Sequence, residues 1–161
     1  MTPVTPPLPP LPEPPHMERL AVPAILNRLL ELREFAEDQG KKAGLLSDRL
    51  AALALVVEEA AVNVITYAYP DVPGIVEVAC CTDGEEFVVE IADTGEPFDP
   101  TSAPEPDTSL PLEERNAGGL GILLIRRTCD DISWRRDSGR NILTCRFRRN
   151  HHLKSLQGRR S

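Results

Sequence analysis

The chain predicts an α+β fold: a two-layer sandwich whose sheet is mixed but mostly antiparallel, with helices on one face. Three observations predict it. Two pairs of strand-like runs are joined by tight-turn dipeptides, Asp83-Gly84 and Ser138-Gly139, and strands joined that way pair antiparallel. Two helical stretches precede them, each with an apolar stripe that needs a sheet face to bury against. The 161 residues, 41% apolar but only 4% aromatic, suit one domain with an aliphatic core.

Residues 1–16 hold MTPVTPPLPPLPEPP, which forms neither helix nor inner strand. They are expected to be an extended lead, a spacer or a ligand for a proline-binding module. The domain is expected over 17–149. It opens with a strand over Glu18 to Val22, and Pro23 suits the first turn of a helix running to about Gln39 with Gly40 as its stop. Ser47 and Asp48 can cap a second helix, roughly 48–67, which Pro70 closes. Ile75–Cys81 and Glu86–Ala92 form the first hairpin. Pro97, Pro100, Pro104, Pro106 and Pro111 mark 94–117 as a long loop, the length of a lid or an insertion. A third helix is expected from Gly118–Gly121 to about Cys129, then strands Ile132–Arg136 and Asn141–Arg148, and a basic tail over 150–161.

The net charge of −7 argues against nonspecific nucleic-acid binding as the main task. Residues 1–114 hold 6 Lys/Arg against 22 Asp/Glu, and 115–161 hold 12 against 3. That asymmetry reads first as solvated surface, with a polyanionic ligand or a polar protein partner as the alternatives. Cys80, Cys81, Cys129 and Cys145 lack metal-type spacing and read as core thiols of a reducing compartment. The N-terminus has no apolar segment of the signal-peptide kind, and no run approaches the roughly 20 apolar residues of a membrane span. A cytoplasmic protein with no membrane association is the expectation.

Three places carry chemistry. On the second helix Leu53, Val56, Val57, Ala60 and Val64 form one stripe, while Leu55 and Val62 lie apolar on the opposite side. Glu59, Asn63 and Thr66 form a polar strip between them, and a carboxylate and an amide four apart stand on one face. They are either a solvated edge or a pair that an ion or ligand must satisfy. On the strand Phe87-Val-Val-Glu-Ile-Ala-Asp93, period two sets Asp93 on the core-facing row with Phe87, Val89 and Ile91. Asp93 is then a buried acceptor for an exocyclic amine such as that of adenine, or a turn-capping residue before Gly95. Gly118, Gly119, Leu120 and Gly121 open a helix, where free backbone amides attract phosphate.

In EEAAVNVITYAYP, VVEIADTGEPFDP and GGLGILLIRRTCDDISW the chain resembles the ATP-binding domain of the GHKL superfamily. Within that superfamily it is most similar to the bacterial anti-sigma-factor serine kinases, from about Met17 to Arg148. The resemblance implies the GHKL sandwich and a Mg²⁺-ATP-dependent serine/threonine kinase. Such a kinase would bind a sigma factor and phosphorylate a STAS-type anti-anti-sigma antagonist, and would form a homodimer. It further implies Glu59 as general base, Asn63 as Mg²⁺ ligand, Asp93 as adenine reader and Gly95 as the glycine that lets the base lie close. Gly118, Gly119, Leu120 and Gly121 correspond to the phosphate turn, Thr144 to the adenine-side hydroxyl and Arg115 to a γ-phosphate cation. Two departures are Tyr67, where the family often has His, and Pro97 at the second glycine of the Asp-x-Gly-x-Gly box. They keep open an ATP-binding adaptor without significant kinase activity. A detached histidine-kinase ATPase domain is the other alternative, though His16 sits beside prolines and His151 and His152 lie in the tail.

Overall fold

A computed structural model of the chain describes residues 9–10, 13–102 and 119–149. Strand β1 (Glu18–Pro23) leads through a 3-10 turn (Leu26–Arg28) into helix α1 (Leu29–Lys42). Helix α2 (Ser47–Asn63) continues as one π turn (Val64–Ala68). Strands β2 (Ile75–Asp83) and β3 (Glu86–Asp93) follow, then a 3-10 turn (Pro100–Ser102), helix α3 (Gly119–Thr128), and strands β4 (Asp131–Asp137) and β5 (Arg140–Arg148). The lead over 1–8 and 11–12, the lid segment 103–117 with Arg115, Gly118 and the tail 150–161 lie outside the described residues.

The sheet runs β1-β2-β3-β5-β4, and all four pairings are antiparallel. No parallel pair of the expected mixed sheet occurs among the described residues. The reason is the path of the chain: it leaves β3, returns at the far edge as β4, and doubles back through Ser138-Gly139 so that β5 lies antiparallel beside β3. Ser138 and Gly139 both adopt positive φ (52° and 77°), the left-handed pair that a two-residue hairpin needs.

Alternation sorts the side chains. Val76, Val78, Phe87, Val89, Ile91, Cys145 and Phe147 bury one face of the sheet against Leu32, Ala36, Leu53, Val56, Val57 and Ala60 of α1 and α2. On the other face ion pairs link Arg19 and Arg140 to Glu77, Arg135 to Glu90 and Arg146 to Asp83. Cys81 is on that face and only half buried, so it is not the core thiol expected; Cys80, Cys129 and Cys145 are buried.

The helix boundaries differ from expectation for local reasons. Pro23 still pairs with Ile75 in the sheet and Ala24 N donates to Gly74 O, so the helix cannot start before the 3-10 turn. Gly40 does not stop α1. A Cβ there would meet Leu50 Cδ2 at 2.8 Å and Leu53 Cδ2 at 3.0 Å, so the glycine marks where α1 crosses α2. Neither Ser47 nor Asp48 caps α2, whose N-cap is Leu46 with no side-chain bond. Asp48 lies in the first turn instead, where its charge suits the positive end of the helix.

Helix α2 also carries Arg49, only 1% exposed, whose Nη2 lies 3.0 Å from Asp130 Oδ2. Asp130 in turn accepts from Arg148 N at 2.8 Å. The ion pair ties the start of α2 to the junction of α3 and β4. By length and overall composition the helix Ser47–Ala68 could cross a membrane, although Glu58, Glu59 and Asn63 interrupt it and it holds no unbroken apolar run near 20 residues. Its apolarity serves the core: seven residues of α2 are buried, six of them packed in the cluster shared with the sheet.

Candidate functional site

Asp93 ends β3 on the helix-facing row and is 9% exposed. Its Oδ1 accepts from Gly95 N at 2.9 Å and from Asn141 Nδ2 at 2.9 Å. Among the described residues every bond to this carboxylate falls on Oδ1, which leaves Oδ2 open to a donor. Asn141 is its direct partner across the β3–β5 pairing. The same amide donates to Glu96 O at 2.8 Å and accepts from Phe98 N at 3.1 Å, so it also fixes the start of the loop after β3.

Beside Asp93 a cavity of about 410 Å³ opens between the end of α2, the sheet and that loop. Ala60, Val64, Ile91, Ile122, Ile125 and Leu143 give it apolar walls, and Asn63, Asp93 and Asn141 bring polar groups to it. A mostly apolar cleft of this size with a few convergent polar groups is the form of a small-ligand site. Trp134, on β4, lines it too, and its Nε1 is buried with no hydrogen-bond partner among the described residues.

Glu59 and Asn63 lie one turn apart at the end of α2, both half buried. Asn63 is the last α-helical residue before the π turn, a local widening that recurs at functional sites. Helix α3 approaches the pair closely: a Cβ on Gly121 would lie 2.6 Å from Glu59 Oε2 and 3.7 Å from Asn63 Nδ2. Only a glycine admits the carboxylate there without displacing it. Gly119 and Leu120 belong to the first turn of α3; Gly118 and Arg115, as noted, fall outside the described residues.

One expected site residue stands elsewhere. Thr144 is paired with Glu90 and takes a 3.3 Å bond from Arg135 Nη1, on the sheet face away from the helices. It lies three residues from Asn141 on β5, and an odd separation on a strand puts the two on opposite faces. Asn141 stands beside Asp93 where the hydroxyl was expected. Gly95 stays at the site, with its N–H on Asp93 Oδ1, and a Cβ there would meet Ala68 O at 2.5 Å, so the glycine also accommodates the end of α2.

Sequence reasoning missed the groups that hold this end of the site. Tyr69 Oη donates to Ile75 O at 2.6 Å and accepts from Thr94 N at 2.8 Å, pinning the residue after Asp93 to the start of β2. Arg136 Nη1 donates to Gly95 O at 2.8 Å, and Arg126 Nη2 on α3 donates to Pro100 O at 2.8 Å. The only sequence signal for Asn141 was its register: the residue opposite Asp93 in the pairing must face the same side.

The residues present fit a purine nucleotide. Among the described residues an acceptor stands open at Asp93 Oδ2, an unbonded indole N–H lies in the wall, and a glycine stands where any side chain would strike Glu59. The comparisons agree on the class. A model of the histidine kinase-like ATPase domain matches residues 22–147, and the chain belongs to that family. It is similar to the serine/threonine-protein kinase BtrW of Bordetella bronchiseptica, at 32% identity over 105 residues, covering 62% of this chain and 74% of that protein. It is also similar to the serine-protein kinase RsbW of Halalkalibacterium halodurans, at 29% identity over 125 residues, covering 75% of this chain and 68% of that one. These relatives set the chain on the protein-kinase side of the family. Among solved structures, the RsbU and RsbW domains of Rv1364c from Mycobacterium tuberculosis share the fold, with a TM-score of 0.59 at 15% identity over 84% of this chain. The match takes in 33% of that longer chain.

Proposed function

We propose that this chain is a cytoplasmic, Mg²⁺-ATP-dependent serine/threonine kinase that binds a sigma factor and phosphorylates a STAS-type anti-anti-sigma protein. The observation that carries it is one cavity with Asp93 Oδ2 open in its wall and Asn63 lining it, next to Glu59 under Gly121. When bound, Mg²⁺-ATP supplies the transferable phosphoryl group and neutralises its charge.

In this reading Asp93 accepts the exocyclic amine of adenine, with Ile91, Ile122 and Leu143 enclosing the ring. Asn63 offers its side-chain oxygen to magnesium, which keeps several waters and needs few protein ligands. Glu59 takes the proton from the serine or threonine hydroxyl of the partner. By the family resemblance, Gly118, Gly119, Leu120 and Gly121 would offer backbone amides to the phosphates, and Arg115 would add a cation. The domain would span 17–149 with 94–117 as its lid, flanked by the proline-rich lead 1–16 and the basic tail 150–161, and would act as a homodimer without nucleic acid or membrane. Likeness to BtrW and RsbW supports the kinase activity, and the family resemblance supports the partners.

Incubation with Mg²⁺, labelled ATP and candidate STAS proteins, then mass spectrometry of the products, tests the proposal. One phosphorylated serine or threonine on a STAS partner is expected. ATP binding without transfer to any of them would replace the kinase with an adaptor.

A further inference from the structure

Asn141 does more than fill the sheet beside Asp93. Its two amide hydrogens are both spent, on Asp93 Oδ1 at 2.9 Å and Glu96 O at 2.8 Å, and its oxygen accepts from Phe98 N at 3.1 Å. The side chain is 6% exposed, so water offers little substitute for these partners. Rotating the amide by half a turn would set its oxygen against two acceptors and its NH₂ against an N–H. The three bonds therefore allow one orientation only.

We propose that Asn141 is a positioning residue that sets the choice of purine, favouring a 6-amino over a 6-keto nucleotide. The inference rests on the nucleotide reading of the cavity and extends it to specificity. With Oδ1 occupied by Asn141 Nδ2 and Gly95 N, Asp93 presents Oδ2 as an acceptor with no donor of its own. An acceptor held in place takes an amine and rejects a carbonyl oxygen, and a buried polar group left unpaired is what makes such rejection strong. Without Asn141 the carboxylate is freer to turn, and the loop through Glu96 and Phe98 loses both of its bonds to this amide.

The test is the Kd of ATP and of GTP, each with Mg²⁺, for the wild-type chain, Asn141→Ala, the similarly branched Asn141→Leu and Arg136→Ala. Arg136 holds Gly95 O in the same loop without touching the Asp93 carboxylate, so it controls for loop loosening alone. The wild type is expected to prefer ATP. Both Asn141 variants are expected to lose ATP affinity by about tenfold or more, the scale of one hydrogen bond to a charged group, with little change for GTP, so that the ratio collapses. Arg136→Ala is expected to weaken both nucleotides alike. Asn141→Leu keeps the branched shape without the donors and serves if the alanine variant does not fold. An unchanged ATP-to-GTP ratio in a folded Asn141 variant overturns the inference and leaves nucleotide binding standing. A wild-type chain that binds neither nucleotide overturns the nucleotide reading itself, and this inference with it.

Discussion

Gly121 and Glu59 are in contact across two helices: the position a methyl group would take on Gly121 is 2.6 Å from Glu59 Oε2. The first turn of α3 thus rests on the carboxylate that α2 presents, and the absence of a side chain at 121 is what leaves that carboxylate in place. The obstructing atom is the end of a flexible side chain, so Gly121→Ala should displace Glu59 rather than unfold the domain. We expect stability to change by no more than about 1 kcal/mol while phosphoryl transfer falls by roughly a hundredfold, the cost of a misplacement near 1 Å. Thermal melting beside a kinase assay checks both halves; a full transfer rate would mean that Glu59 need not sit where it does.

Glu59 and Asn63 should separate chemistry from binding. Glu59→Gln keeps the shape and hydrogen-bonding reach of the side chain but not its basicity, so nucleotide affinity should hold while transfer drops about 10²–10⁴-fold. Asn63→Ala should abolish the Mg²⁺-dependent part of nucleotide affinity. Calorimetry with and without Mg²⁺, alongside single-turnover phosphorylation, distinguishes the two. Transfer at full rate by Glu59→Gln would require another base.

The buried pair of Arg49 and Asp130 should dominate stability at the far end of α2. Their side chains are 2% and 9% exposed. Removing one partner strands the other charge, so Arg49→Ala should cost about 3–5 kcal/mol, whereas replacing both by apolar residues of similar volume should cost far less. Urea unfolding of the single and double variants measures the difference. A single variant within 1 kcal/mol of the wild type, by the same order-of-magnitude scale, would show that the charge finds water.

The outer face of the sheet should respond to acid through Glu77. Partial burial pushes its carboxyl up, but hydrogen bonds from Arg140 and Arg19 outweigh this and hold it below its ordinary value of 4.5. A carboxyl lowered in the folded state adds stability that is complete above its unfolded value and is lost as pH falls through the folded one. Glu77→Gln should therefore be less stable than the wild type near neutral pH, with the gap closing well below pH 4.5. Denaturant curves at the two pH values decide it, and a gap independent of pH would assign the effect to packing.

The parts of the fold set by local chemistry were legible in the sequence. Gly84 and Ser138-Gly139 announce hairpins, although the first turn is Gly84-Glu85 rather than Asp83-Gly84 because Asp83 pairs with Glu86, and the stripe from Leu53 to Val64 announces a core helix. Asp93 could be set on the core face by period two alone. What stayed hidden depends on contacts between distant residues. Asn141 was opaque because its role follows from which residue of β5 opposes Asp93, and Thr144 was misplaced because a strand reverses its face at every step. Gly40 looked like a helix stop because the leucines that crowd it come from the next helix. Arg49 gave no sign at all, since its partner lies 81 positions away.

Arg149, just past the end of β5, sends Nε and Nη2 to Ala43 O at 3.0 and 2.9 Å and Nη1 to Gly84 O at 3.3 Å. One guanidinium thereby closes the C-terminal end of α1 and braces the β2–β3 turn, with its backbone N–H on Glu85 O as a fourth point. This fixes where the chain can be shortened. A truncation after Arg149 retains every one of these bonds, whereas one ending at Arg148 leaves the Ala43 carbonyl without this donor and frees a turn on the opposite side of the hairpin. Anyone attaching a tag or a fluorescent label at this end should place the join beyond residue 149.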